Sequence, residues 1–283
     1  MKPILVPLNL YADCENILTY AESIALKSGT KLVFFHPGSR KILPKLNTEL
    51  RLGKDELPSV FDSIKPLHVQ TYLRQFWEQF ADHDIDFEFV FSPSSSLQGI
   101  IQEVETNSYQ FVMTGTYAAP GIRNFFRGSL ASRIIGSVNM PVFVIPASGC
   151  FYDIRNITYA VDLTAYDPNV IRQIKTIAST FDAKLTIAHV NSEQEESTEK
   201  ETYLKTLEQT ISDTIDYPKI YYKFFDHADP FAGIKKFVNL NNSHMLAMTN
   251  RKKFSWREFF GDKSLTRKMA REISVPILAF QKF

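Results

Sequence analysis

One order of short segments occurs twice along this chain of 283 residues. KLVFFH at 31–36 returns as KLTIAH at 184–189, and ILVPLN at 4–9 returns as ITYAVD at 157–162, both at an offset of 153. Further on, NSYQFVMT at 107–114 is answered by NSHMLAMT at 242–249, and PVFVI at 141–145 by PILAF at 276–280, both at an offset of 135. Separate runs in the same order at each offset mark two copies of one unit, so the fold must be one that half this chain can complete and then repeat. The change of offset makes the first copy 18 residues longer in its middle. Length alone gives the same count, at roughly 150 residues per domain.

Within each copy, β-branched and aromatic runs alternate with amphipathic stretches. In the second, NITYAVDL reads as a strand; Asp167-Pro168 then supplies an N-cap and a proline at the first helical position. Val170, Ile171, Ile174, Ile177, Ala178 and Phe181 follow on one helical face. KLTIAHV is the next strand, Ser192 with Glu195 forms a capping box, and Tyr203, Leu204, Leu207, Ile211 and Ile215 form the next apolar stripe. KIYYKFF, a helix over Phe231–Leu240, HMLAMT, a helix over Leu265–Glu272 and PILAF complete the series. Strict alternation predicts an α/β class: two tandem, doubly wound Rossmann-like domains, each a five-stranded parallel sheet flanked by helices. The expected domains are 1–146 and 156–283, with ASGCFYDIR at 147–155 as the linker.

Composition bounds what such a pair can do. The apolar fraction of 44% and charged fraction of 22% are those of an ordinary globular protein with material for real cores. A formal charge of +1 argues against a nucleic-acid binder that relies on bulk electrostatics. No apolar run approaches the roughly 18 residues that span a bilayer, and MKPILVPLNL does not read as a signal peptide. Cys14 and Cys150 lie far apart without a partner motif, which points to neither a disulfide framework nor a metal site and makes the cytoplasm the expected location.

In open parallel sheets, ligands bind beyond the carboxyl ends of the strands, where the strand order reverses. In the first copy the loops there are Pro7-Leu8-Asn9 and TGTYAAPGIRNFFRGS, Thr114 to Ser129. The second loop holds Gly115, Gly121 and Gly128 of the chain's 11 glycines, with Arg123 and Arg127 and no acid from 115 to 133. Glycine lets the backbone approach an anion, and Gly128-Ser129 stands where a helix opens, offering free N–H groups and the positive end of a dipole. This is phosphate chemistry, but neither GxxxxGK[ST] nor GxGxxG is present.

A strand ending in MTG, a long glycine-bearing loop, GS opening a helix and a Pro-Val strand about a dozen residues later resemble the universal stress protein family. The resemblance covers both copies and implies a tandem member of that family. The family's ATP-binding branch carries G-2x-G-9x-G-S/T; Gly115 matches its first glycine and Gly128-Ser129 its final pair, while Ala118 stands at the second glycine. Pro7 also matches, and Asn9 stands where that branch has an aspartate, its amide oxygen still an acceptor. The resemblance thus implies an adenine nucleotide, ATP with or without magnesium, held by Pro7, Asn9, Pro37, Thr114, Gly115, Ala118, Gly128, Ser129 and Leu130, with Pro37 near the adenine. In the second copy Asp162 and Ser264 match, but Asn250, Lys253 and Lys263 occupy the glycine positions, where side chains block a backbone approach. Its stretch from 250 to 272 nevertheless holds eight basic and three acidic residues.

Other residues read as structural. His36 and His189 end the second strand of each copy without a nucleophile or orienting acid in a recognisable motif, and are expected to pack at strand ends. His83 with Asp82, Asp84 and Asp86 reads as a charged helix-to-strand turn, Trp77 and Phe80 as helix core positions, and 38–66 as an irregular insertion or short helices without an assigned role. Three functions follow from different classes: a nucleotide-responsive stress protein, an interaction module of the same family without nucleotide, and an enzyme of nucleotidyl chemistry. No HxGH or SGG-type signature and no water-activating carboxylate in the loop support the last, so catalysis beyond slow ATP hydrolysis is not expected. The two domains are expected to pair within the chain through their apolar last strands, leaving room for a further homodimer. No nucleic acid or membrane partner is expected.

Overall fold

The computed structural model describes residues 1–11, 14–116, 130–146, 153–161, 167–191, 197–250 and 275–281. The chain separates into two compact units, the first built on Met1–Phe151 and the second on Tyr152–Ser255 with the closing strand.

The first unit runs β1 (Ile4–Pro7), α1 (Glu15–Ser28), β2 (Leu32–Pro37), β3 (Leu50–Gly53), α2 (Leu67–Ala81), β4 (Phe87–Ser92), α3 (Ser96–Thr106), β5 (Val112–Gly115), α4 (Leu130–Ile135) and β6 (Val142–Ile145). Its strand order is β3-β4-β2-β1-β5-β6, parallel except for β3. The second unit runs β7 (Asn156–Ala160), α5 (Pro168–Thr180), β8 (Lys184–Asn191), α6 (Ser197–Thr214), β9 (Ile220–Asp226), α7 (Pro230–Leu240), β10 (Met245–Asn250) and β11 (Ile277–Gln281). Its order is β11-β10-β7-β8-β9, parallel throughout. The alternating α/β class and the doubly wound order agree with the sequence reading. One expectation is corrected: the first unit's sheet has a sixth strand, antiparallel β3, contributed by the insertion at 38–66.

The cap expected at Asp167 forms. Asp167 accepts from the Asn169 N–H with Pro168 opening α5, and Asp229 with Pro230 repeats the device at α7. Gly29 ends α1 at φ 64°, and its N–H closes on Ala25 O. The expected capping box at Ser192 and Glu195, and the helix over 265–272, lie outside the described residues. The first core centres on phenylalanine: Phe34 meets Phe76 at 4.7 Å between ring centroids and Phe80 at 5.2 Å, both edge-on. Phe80 is a core residue as expected. Trp77 is not; it is half-buried, and its indole N–H donates to Lys54 O (2.8 Å), pinning α2 to the insertion.

The repeat holds in three dimensions at the first offset, since Ile4 pairs Leu32 in one unit and Ile157 pairs Leu185 in the other. At the second offset it slips by one residue. Gln110 N–H bonds Pro3 O while His244 N–H bonds Asn156 O, and Val112 N–H bonds Pro141 O while Leu246 N–H bonds Pro276 O. Strand β10 therefore corresponds to β5 at an offset of 134 rather than the 135 that NSYQFVMT and NSHMLAMT imply. The doubled Asn241-Asn242 permits the slip, since Asn241, not Asn242, caps α7 as Asn107 caps α3.

Candidate functional site

In the first unit the chain passes from β1 to β2 and β4 on one side, then returns to β5 and β6 on the other. The reversal falls between β1 and β5, and both carboxyl ends open there. Leu5 pairs Val112, so two residues on Pro7 lies level with Thr114. Asn9 follows β1 by two residues, Gly115 is the last residue of β5, and Pro37 is the last of the neighbouring β2. Five of the expected site residues are thus brought to the ends of three adjacent strands. Leu130 opens α4. Ala118, Gly128 and Ser129 lie outside the described residues, as do Asp162, Lys253, Lys263 and Ser264 of the second copy.

The loop after β1 is fixed by its own polar groups. Asn9 Oδ1 accepts the Tyr11 N–H (3.2 Å), an Asx turn, and Cys14 Sγ donates to Asn9 O (3.5 Å). Leu8 N–H bonds Phe35 O (2.8 Å), and His36 Nδ1–H donates to Leu8 O (3.0 Å). The second unit repeats this contact, His189 Nδ1 to Val161 O at 3.0 Å. Both histidines therefore pack at strand ends, as expected, with the added role of clamping the loop after the first strand. Burial of His36 lowers its pKa, partly opposed by the bond to Leu8 O. With Nδ1–H donating to Leu8 O, the neutral ring presents Nε2 as an acceptor.

Two buried polar atoms at this end of the sheet have no hydrogen-bond partner among the described residues: His36 Nε2 and Thr114 Oγ1. An unsatisfied buried polar group costs about 1–3 kcal/mol, and such groups are few in native structures. The half-exposed ring of Tyr11 lies 6.4 Å from His36 and 5.9 Å from His68, between centroids. Sequence reasoning named Thr114 only for its place in a motif and missed Tyr11 and His68, because no linear spacing relates a loop after β1 to the first turn of α2. Across the mouth, Gly38 adopts φ 70° and its N–H bonds Ser94 O (2.8 Å), joining the loops after β2 and β4.

In the second unit the strand register corrects one assignment. Gly115 pairs Ile145 and Thr249 pairs Phe280, so Thr249 rather than Asn250 holds the place of Gly115. Its hydroxyl is already bonded to Tyr159 OH (3.0 Å). The expected charged turn at 82–86 also has a specific partner, His83 Nδ1 lying 2.7 Å from Glu22 Oε1. Among the described residues no group of three or more His, Cys, Asp or Glu could hold a metal ion, and no helix is long and apolar enough to cross a membrane.

No family model matches the sequence, and no curated protein matches it. Solved structures do. A universal stress protein from Archaeoglobus fulgidus DSM 4304 aligns over 99% of this chain and 96% of its own, at TM-score 0.68 and 16% identity. A functionally unknown protein from Pseudomonas aeruginosa PAO1 aligns over 99% and 92%, at TM-score 0.66 and 12% identity. The cytoplasmic domain of a prokaryotic cation chloride cotransporter aligns over 98% and 94%, at TM-score 0.52 and 10% identity. What these proteins share with this chain is the fold, along the length of both units.

Proposed function

We propose that this chain, whose fold is that of the universal stress proteins, is a stress-response protein that binds an adenine nucleotide in its first unit, ATP foremost. The observation that carries the reading is the reversal of strand order between β1 and β5, with the Thr114 hydroxyl buried and, among the described residues, unpartnered one residue before Gly115. A polar ligand reaching this strand end would meet an unsatisfied hydroxyl and an adjacent glycine. Pro7, Asn9 and Pro37 flank the nucleoside; Gly115, Ala118, Gly128, Ser129 and Leu130 take the phosphates, with the α4 N-terminus and Arg123 and Arg127 supplying positive potential. Magnesium accompanying ATP would find no carboxylate ligand from Gly115 to Arg133, so the phosphates themselves would have to bring it. The same lack of a carboxylate makes this a binding site rather than a site of rapid turnover. The two domains, 1–146 and 156–283, form an intramolecular pair in the cytoplasm, the nine-residue linker raising their effective concentration.

The test begins with the purified chain: released nucleotide read by mass and by absorbance ratio, then calorimetry with ATP. Gly128→Val should abolish binding, because phosphate cradling needs the backbone N–H groups that a side chain obstructs, whereas Lys263→Ala should leave it unchanged. Affinity that survived the first change and collapsed on the second would move the site to the second unit. No binding at all would leave the fold serving as an interaction module without nucleotide.

A further inference from the structure

Strand β9 ends the second unit's sheet, and among the described residues it pairs only with β8. Its sequence, IYYKFFD, is apolar or aromatic from Ile220 to Phe225 except at Lys223, and Tyr221 is exposed. Leu185 N–H bonds Lys219 O, and His227 N–H bonds Asn191 O, so the odd-numbered residues point their main-chain groups at β8. Ile220, Tyr222 and Phe224 therefore present N–H and C=O outward. A long, apolar open edge of this kind is a template for another strand.

The first unit supplies the geometry of the occupant. Leu32 pairs Phe87 there and Leu185 pairs Ile220 here, so β4 is the counterpart of β9, with Phe89 at the place of Tyr222 and Phe91 at that of Phe224. Strand β3 covers β4 in antiparallel register, Leu50 on Phe91 and Leu52 on Phe89. The second copy lacks the insertion that makes β3, and among the described residues the same edge is left open.

We propose that β9 is a homodimerisation edge, occupied by β9 of a second copy of this chain in antiparallel, two-fold register centred on Tyr222. Outward residues must face outward residues, so registers differ in steps of two. Centred on Tyr222, the pairing sets Ile220 against Phe224 of the second copy and Lys223 against the Tyr221 ring, a cation–π partner, each contact occurring twice. About six main-chain hydrogen bonds close. Centring on Lys223 would place two lysines face to face, and centring on Tyr221 would bring Pro218, which has no N–H, opposite Phe224. The sequence singles out one register. This edge lies away from the last strands through which the two domains are proposed to pair, and the inference does not depend on nucleotide.

Sedimentation velocity of the full chain tests it. The wild type should dimerise as concentration rises, and Tyr222→Pro should weaken dimerisation by at least about tenfold, because it removes the reciprocal Tyr222 hydrogen bonds. The substitution spares the β8 ladder, since the Tyr222 N–H points outward, and the melting curve checks that the fold persists. Tyr222→Cys should also cross-link two chains on mild oxidation, opposed Cα atoms in such a pair lying about 5.5 Å apart, within disulfide reach. Tyr221→Cys should not. A wild type that stays monomeric, leaving the edge to a strand of another protein, overturns the proposal. So does a dimer indifferent to Tyr222→Pro, or cysteines that cross-link equally well at 221 and 222.

Discussion

His36 illustrates how one buried side chain can join a strand end to a loop and carry a pH signature. Burial lowers its pKa and holds the ring neutral in the folded state, while in the unfolded chain it titrates near 6.5. A lowered histidine pKa means that the unfolded state binds more protons as pH falls, so the contribution is full above about 6.5 and is lost as pH drops through the folded value. Asparagine at this position keeps a donor for Leu8 O but does not titrate. His36→Asn should cost about 1–2 kcal/mol at neutral pH, through lost packing and a poorer bond, and should lose less stability than the wild type between pH 7 and pH 5. Urea unfolding at both pH values measures this. Equal pH dependence in the two proteins would mean that His36 takes up its proton over the same pH range folded and unfolded, so that burial does not shift it. The sequence placed this histidine, and its twin His189, at strand ends; their carbonyl partners, Leu8 and Val161, could not be named without the fold, because they are 28 residues away in each copy.

Elements are held in register by close approaches that the sequence showed only in part. Gly99 in α3 and Gly233 in α7 occupy the same helical position, at an offset of 134, where each helix crosses the strand end beneath it. With Asn107 and Asn241 they mark the true correspondence of the copies. The apolar identities in β5 and β10 could not, since strands buried on both faces read as near-continuous apolar runs and leave register weakly specified. A Cβ at Gly233 would lie 2.5 Å from Val190 Cγ1 and 2.8 Å from His227 Cβ, whereas at Gly99 the nearest atoms are 3.2 and 3.3 Å away. Gly233→Ala should therefore destabilise by about 2 kcal/mol, overpacking exceeding the roughly 1 kcal/mol gained in helix propensity. Gly99→Ala should be near neutral. Thermal melting of both variants decides, and similar effects would mean that α7 shifts freely on its strand. The insertion strand β3 is held by a different device. Arg51 bonds Glu88 (2.7 Å) and Glu49 (2.9 Å) and reaches the buried Glu103, which also accepts from Tyr109 OH and from Asn107 Nδ2 (3.0 Å). Burial works against the Arg51 charge, but the bonds to Glu103 and Glu88 outweigh it and hold its pKa up. Arg51→Met strands the Glu103 carboxylate; the expected cost is about 2 kcal/mol, less than the 3–5 of a fully buried pair because the Arg51 side chain is one-third exposed. Adding Glu103→Gln should recover part of it. Hydrogen exchange at Leu50–Gly53 should quicken in the single variant and slow again in the double one, and unchanged exchange in both would mean that main-chain pairing alone holds β3.

At the scale of the whole chain, two copies of one scaffold have diverged at their edges and mouths while keeping their strand order. That order was legible because alternation and repetition are properties of the whole sequence. The antiparallel strand was not, because LRLG sits among prolines in an insertion with no counterpart to compare. The divergence predicts an asymmetric ligand count. Charge favours the second copy, with eight basic residues against three acidic over 250–272. Sterics favour the first: Thr249, whose hydroxyl is held by Tyr159, takes the place of Gly115, and the repeat read from the sequence sets Lys253 and Lys263 against the motif's other glycine positions. Added charge raises local phosphate concentration, but an attraction of this kind is screened by salt, whereas a backbone approach closed by side chains stays closed at any ionic strength. Equilibrium dialysis with ATP should accordingly give one nucleotide per chain in both low and physiological salt. Two per chain at low salt falling to one at physiological salt would show the lysine patch acting as a weak, purely electrostatic second site. Two per chain at both salts would mean that glycine at these positions is not what the fold needs to hold a phosphate.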